Sequence, residues 1–204
     1  STERFLGDTQ SFEKSFDDYY FLGRSYSISS EINRWKGNMQ QAEDDMHEAI
    51  DNFEVAEQDF QLVSILNRLV CFYLEIGEQA KASKTLKKSE RIAEKNEETS
   101  QILRINLLKI LIQSGGGKAD LDALKNFEIE IANDISIATN SQTLYENWWY
   151  LSQCYHLLGD TKKAQSLLKR SQKIIIETAN KISDVSQRKC FLEENIFNRK
   201  ILKE

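Results

Sequence analysis

Apolar positions recur along this chain at i, i+3, i+4 and i+7, the spacing that gathers side chains on one face of an α-helix. The pattern is plainest in Trp148, Leu151, Ser152 and Tyr155, followed by Gly159 and then by Ala164, Leu168 and Ser171. Leu66, Leu69, Val70, Tyr73, Gly77, Ala82, Leu86 and Ser89 repeat the same spacings 82 residues earlier. Each copy predicts two helices joined at a glycine turn. Between them, Leu107, Leu108 and Leu111 lead to Gly115, and Ala123 and Phe127 follow three residues later than the pattern requires, so this copy has an enlarged turn. In the first copy Tyr26, Ser30 and Asn33 precede Gly37, and Ala42, Met46 and Ala49 follow on schedule. Phe12, Phe16 and Tyr19 extend its first helix toward the N-terminus. The turn glycines fall at 37, 77, 115 and 159, a period close to 40 residues.

This order, an aromatic-Leu-small-Tyr helix, a glycine turn and a small-large-small second helix, resembles the tetratricopeptide repeat over residues 14 to 180. The period exceeds the ~34 residues usual in that family and is similar to the longer-helix variety found in kinesin light chains and bacterial signalling regulators. No copy carries the family's closing proline. The resemblance implies an all-α, right-handed superhelical solenoid of about four hairpins, approximately 14–54, 56–95, 97–138 and 141–180, within an array spanning 1–182. Residues 183–204 read as one C-terminal capping helix opened by Ser183 or Asp184. Val185, Phe191, Leu192, Ile196, Ile201 and Leu202 are placed to cover the open end of the stack, as a repeat array requires. The run Phe191-Leu192, Asn195, Asn198-Arg199 and Ile201-Leu202 is similar to the closing helix of large bacterial proteins that join repeats to ATPase, cyclase or kinase domains.

Composition supports the helical reading. Of 204 residues none is proline and eight are glycine, and the 40% apolar content suffices for a continuous core. A net charge of −5 and a pI near 5.3 argue against a nucleic-acid partner, whose footprint is a concentrated basic face. Lys84, Lys87 and Lys88 then read as a solvated helix face. Cys71, Cys154 and Cys190 form no CxxC and fit reduced, inert thiols in a cytoplasmic protein. The sequence shows neither an 18-residue apolar run nor a charged-then-apolar leader, so no membrane partner and no signal peptide are expected. It begins with Ser1, and a piece of a longer protein is expected.

Candidate chemistry is sparse. Ser114-Gly-Gly-Gly-Lys-Ala119 invites a phosphate-loop reading, but Ile112 stands where a glycine is required and Ala119 where a hydroxyl residue must follow the lysine. His47 and His156 lie on different repeats without a histidine or cysteine at ligand spacing. His47 lies between Glu43 and Asp51 on a charged helix face. No catalytic, metal-binding or cofactor-binding residue is assigned, no cofactor is expected, and the segment is not expected to be an enzyme.

A binding surface is the alternative. On a 100° wheel Trp148, Leu151, Ser152 and Tyr155 share one sector facing the partner helix, and Trp149 points about 100° away, with Gln153 and His156 beside it. The equivalent stripes are Ser64, Asn67, Cys71 and Leu74; Ile102, Ile105, Lys109 and Ile112; and Arg24, Ser27, Glu31 and Arg34. The resemblance makes this stripe a concave peptide groove, with Arg24, Arg34, Asn67, Leu74, Ile105, Lys109, Ile112, Trp149, Gln153 and His156 as candidate contacts. Trp149 is either an exposed aromatic anchor or a ring buried by an adjacent helix or by the tail. Arg24, Arg34 and Lys109 suggest an acidic ligand. Asn67 and Lys109 match the chaperone-tail carboxylate clamp only in type. The expected function is a non-catalytic protein- or peptide-binding scaffold, a module of a larger signalling protein. The alternative is an intramolecular regulatory segment controlling an adjacent kinase, ATPase or cyclase domain.

Overall fold

Three helices end by the same device. In the computed structural model, which describes residues 15–96, 99–115, 121–133 and 141–204, Gly37, Gly77 and Gly159 have φ of 82°, 81° and 85°. Glycine adopts this left-handed backbone without the penalty a Cβ would bring. The amide after each glycine returns to the carbonyl five residues back: Asn38 to Asn33, Glu78 to Tyr73 and Asp160 to Tyr155, at 2.9, 2.8 and 2.9 Å. These bonds satisfy carbonyls that the helix itself leaves unpaired. Gly115 is the last residue of its helix, and Gly116, Gly117 and Lys118 of the glycine-rich run lie outside the described residues.

The elements are α1 (Phe16–Lys36), α2 (Met39–Val55), α3 (Asp59–Glu75), α4 (Gln79–Lys95), α5 (Thr99–Gly115), α6 (Leu121–Asn133), α7 (Ser141–Leu157), α8 (Thr161–Asn180), α9 (Val185–Lys189) and α10 (Ile196–Lys203). Among the described residues the architecture is all-α, with no strand, and no helix is long and apolar enough to cross a membrane. A reciprocal cap opens α1: the Ser15 hydroxyl accepts from the Asp18 amide, and the Asp18 carboxylate accepts from the Ser15 amide at 2.8 Å. Packing is most extensive between α1 and α2, α3 and α4, and α7 and α8, and α5 lies against α3, α4 and α7. Trp148, Leu151, Ser152 and Tyr155 are all buried, as are Leu66, Leu69, Val70 and Tyr73 at the matching positions of α3.

Two junctions, between α2 and α3 and between α6 and α7, carry the same polar contact. The Tyr73 hydroxyl donates to Glu43 on α2 at 2.8 Å, and Lys81, on the helix following Tyr73, pairs with Glu43 at 3.2 Å and lies over the tyrosine ring. Tyr155, Glu128 and Lys163 repeat this, with Lys163 2.7 Å from Glu128 and over the Tyr155 ring. Burial, then the Glu128 and Asp160 charges, pushes the Tyr155 phenol up to about 12. Tyr and Lys recur 82 positions apart, but Glu43 and Glu128 are 85 apart. Glu43 stands six residues after its turn glycine and Glu128 thirteen after Gly115; three of the seven extra residues match the longer spacing before α6 and four are one further helical turn, so the acid comes from the next turn of α6.

Gly23 is required by packing. A Cβ there would lie 2.8 Å from the ring of Phe53, itself buried. Alanine in a helix interior is ordinarily favoured over glycine by about 1 kcal/mol, but displacing a packed ring costs roughly 1–3 kcal/mol. Gly23→Ala is therefore expected to lower the denaturation midpoint, against the helix-propensity trend. An increase would show that the ring yields freely.

Asp45 ties α2 to α1. Its carboxylate accepts from Ser29 at 2.7 Å, Asn33 at 2.8 Å and Gln41 at 2.9 Å. Burial pushes its pKa up, but these three donors outweigh burial and hold it below the ordinary carboxylate value. Its contribution to stability is therefore complete above the unfolded-state pKa of about 3.9 and is lost as pH falls through the lower folded value. Asp45→Asn is expected to flatten the acid limb of stability below about pH 4, measured by denaturant titration across pH. An unchanged acid limb would assign that limb to other carboxylates.

The C-terminal segment departs from the expected single helix. A cap by Asp184, accepting from the Gln187 amide at 2.7 Å, opens the short α9, which runs into a π-helical turn at Cys190–Glu194. Asn195 is extended (φ −68°, ψ 118°) and breaks the helix, and its side chain caps α10 by accepting from the Asn198 amide at 3.1 Å. Val185 is exposed, Phe191 and Leu192 are half-buried, Ile201 is fully buried and Leu202 half-buried. The side chain of Ile196 lies outside the described residues.

Candidate peptide-binding recess

The last turn of α1, the C-terminal half of α3, the middle of α5 and the middle of α7 bring Arg34, Cys71, Glu75, Arg104, Trp149, Tyr150 and Gln153 around one recess. The chain's own α10 lies in it. Phe197 faces the Arg34 guanidinium at 5.1 Å, meets the Trp149 ring edge-on at 5.7 Å and lies 6.2 Å from the Tyr150 ring. Lys200 is 3.6 Å from the Glu75 carboxylate and 4.9 Å over the Trp149 ring. Glu204 accepts from Trp149 Nε1 at 2.9 Å and from Gln153 Nε2 at 3.0 Å. One turn on from Phe197 and on the same face of α10, Ile201 is buried, and its carbonyl accepts from Gln172 of α8 at 2.9 Å.

Buried charge is matched at each place. The Arg34 side chain, 3% exposed, pairs with Glu75 and lies 3.9 Å from Glu31. Burial acts against its charge, and the two carboxylates more than offset this, holding the guanidinium above its ordinary value. Arg104 donates to Asn147 at 2.5 Å and Glu146 at 3.1 Å and stacks 4.5 Å over the Tyr150 ring. Burial pushes the Tyr150 phenol well up and the Cys71 thiol beside it up as well, so Cys71 is kept in its unreactive protonated form.

No known family, curated protein or solved structure matches the chain. The residues of the recess therefore carry the functional argument by themselves.

The structure brings together only some of the residues expected from the sequence. Arg34, Leu74, Trp149 and Gln153 meet at the recess. Trp149 does turn away from the Trp148 sector, and of its two alternatives the structure has the second, a ring buried by the tail: it is 3% exposed beneath Phe197 and Lys200 of α10. Asn67 is buried and committed within the chain, donating to Gln101 at 3.2 Å and accepting from Ser89 at 2.8 Å. Ile105 belongs to the core. Lys109 turns toward α4 and pairs with Glu90. The Ile112 carbonyl accepts from Gln79 at 3.4 Å, and His156 is exposed. Arg24 is exposed, within 3.3 Å of the Tyr20 hydroxyl. With Arg34 and Lys109 both neutralised inside the chain, the basic character that pointed to an acidic ligand is largely absent from the recess.

Sequence reasoning passed over Glu75, Arg104, Tyr150, Phe197 and Lys200. Arg104 had a readable signal: it stands eleven residues before its turn glycine, where Leu66 and Trp148 stand in their copies. A charge at a core position demands a buried partner. Beside α10 a cavity of about 500 Å³ remains, bounded by Leu74, Leu111, Trp149, Gln153, Leu157 and Lys200.

Proposed function

We propose that this chain is a non-catalytic binding scaffold of the tetratricopeptide type, four helical hairpins wound as a right-handed solenoid, whose inner recess takes a short segment of protein. The observation that carries this reading is the seating of α10, a helix held through aromatic stacking, an ion pair and a shared carboxylate. Laying an amphipathic helix in a groove and reading its side chains one turn apart is an established mode of peptide recognition. The joint shared by Tyr73 and Tyr155 supports the repeat architecture, because a like contact at two junctions implies a like packing of the helices there. The scaffold acts in the cytoplasm, without cofactor, as a module of a signalling protein.

A second reading makes the segment a regulator of a neighbouring kinase, ATPase or cyclase domain. It is favoured by the identity of the occupant, which is the chain's own C-terminal segment.

The test is selection of a displayed peptide library on the whole chain, followed by photo-crosslinking from position 153 and, as a control on the outer side, from position 84. Selected peptides are expected to crosslink from 153 and not from 84. An empty selection both on this chain and on full-length Phe197→Ala/Lys200→Ala, in which the seating of α10 is weakened, or equal crosslinking from both positions, would count against the scaffold.

A further inference from the structure

Three side chains enter the recess on one face, Phe197 and Lys200 of α10 and Glu204 at its C-cap, at i, i+3 and i+7. Each meets a complementary group. The aromatic ring lies among Arg34, Trp149 and Tyr150. The ammonium lies between the Glu75 carboxylate and the Trp149 ring, and the carboxylate bridges two N–H donors. We propose that the recess is specific for a partner helix carrying an aromatic residue, a basic residue and a carboxylate at i, i+3 and i+7, and that α10 is a built-in copy of that ligand which must leave before the partner enters. This rests on the scaffold reading and deepens it by naming what the recess recognises and how it is closed.

Four features of the structure support displacement over permanent closure. α10 has eight residues, fewer than the roughly 12–15 an isolated helix needs to hold itself, so its order depends on the recess. It is joined to the rest of the chain through the extended Asn195, a single-residue break that can serve as the hinge, crossed by the side-chain bond from Asn198 to the Phe191 carbonyl at 2.8 Å. Its cation remains partly exposed, the Lys200 side chain by 42%, so this contact is accessible to a competitor. The cavity beside it, walled by Trp149, Gln153 and Lys200, shows that the recess is larger than the helix it holds. A ligand tethered to its own site competes at an effective concentration on the order of millimolar, and untethered segments of the same chemistry are therefore held off until the tether is released.

The probe is a fluorescent peptide of residues 195–204, measured by polarisation against the full chain and against full-length Phe197→Ala/Lys200→Ala, in which the recess is unaltered. Helical circular dichroism and a cooperative melt establish that the variant is folded. The peptide is expected to bind the variant at least about tenfold more tightly than the unaltered chain. Peptides carrying Phe197→Ala or Lys200→Ala, changes that leave the protein untouched, are expected to lose most of that affinity. Equal binding to both chains, or equal binding of the altered peptides, would overturn the proposal. A library selection on the released variant separates this from failure of the scaffold itself. Peptides that crosslink from position 153 but lack the aromatic–basic–acidic spacing would overturn the specificity while leaving the scaffold standing. Absence of any such peptide would overturn both.

Discussion

Trp148→Ala is expected to destabilise the protein by about 3–5 kcal/mol, the range for emptying an aromatic ring from a packed core. The Trp148 side chain is fully buried, and the Arg170 guanidinium lies 3.8 Å from its ring centroid. Its neighbour is buried for another reason. Trp149 is covered by Phe197 and Lys200 of α10 and by Glu204 at its C-cap, so its burial depends on a segment that lies 48 or more positions away in sequence. Chemical denaturation of both alanine variants, in the full chain and in a chain lacking residues 195–204, separates the two roles. The Trp148→Ala cost should persist in the shortened chain, whereas that of Trp149→Ala should fall to within about 0.5 kcal/mol, as for a surface site. Such a change in one cost and not in the other is what coupling between contacting groups produces. Equal costs for Trp149→Ala in both chains would show that α7 and its helical neighbours, not α10, hold the ring.

Glu75→Ala is expected to cost about 3 kcal/mol, because it leaves the Arg34 charge buried with only Glu31 for company. It also removes the carboxylate that faces Lys200. Replacing both members of the Arg34–Glu75 pair by apolar residues, as Arg34→Met/Glu75→Leu, should recover at least half of that loss, since the penalty lies in the stranded charge more than in the missing attraction. Denaturation of the single and double variants decides the matter. A double variant as unstable as the single one would mean that the pair fixes the geometry of α1 against α3 by its hydrogen bonds.

What could be read from the sequence was local. The helical period and the turn glycines follow from interactions within a few residues, and Gly37, Gly77 and Gly159 adopt the left-handed backbone that a glycine after a periodic run implies. The direction of Trp149 was legible for the same reason, since it follows from 100° per residue. What covers it was not. The break at Asn195 returns α10 to residues as distant as Arg34, 163 positions earlier, and no periodicity carries that information. Asn67 and Lys109 show the converse limit: their stripe was found, but Ser89, Gln101 and Glu90 on adjacent helices claim their polar groups.

The contact between Arg34 and Phe197 has a mechanical consequence. A row of units touching only nearest neighbours is compliant, because small angular play at each joint adds along its length. Here α1 is fastened to α10, so the play of α1 against the helices between them is confined by a closing latch. Opening that latch should loosen α1 against the helices between, with none of their own contacts broken. Full-length Phe197→Ala/Lys200→Ala should then show a larger radius of gyration and a broader distance distribution in solution scattering, at unchanged helical content.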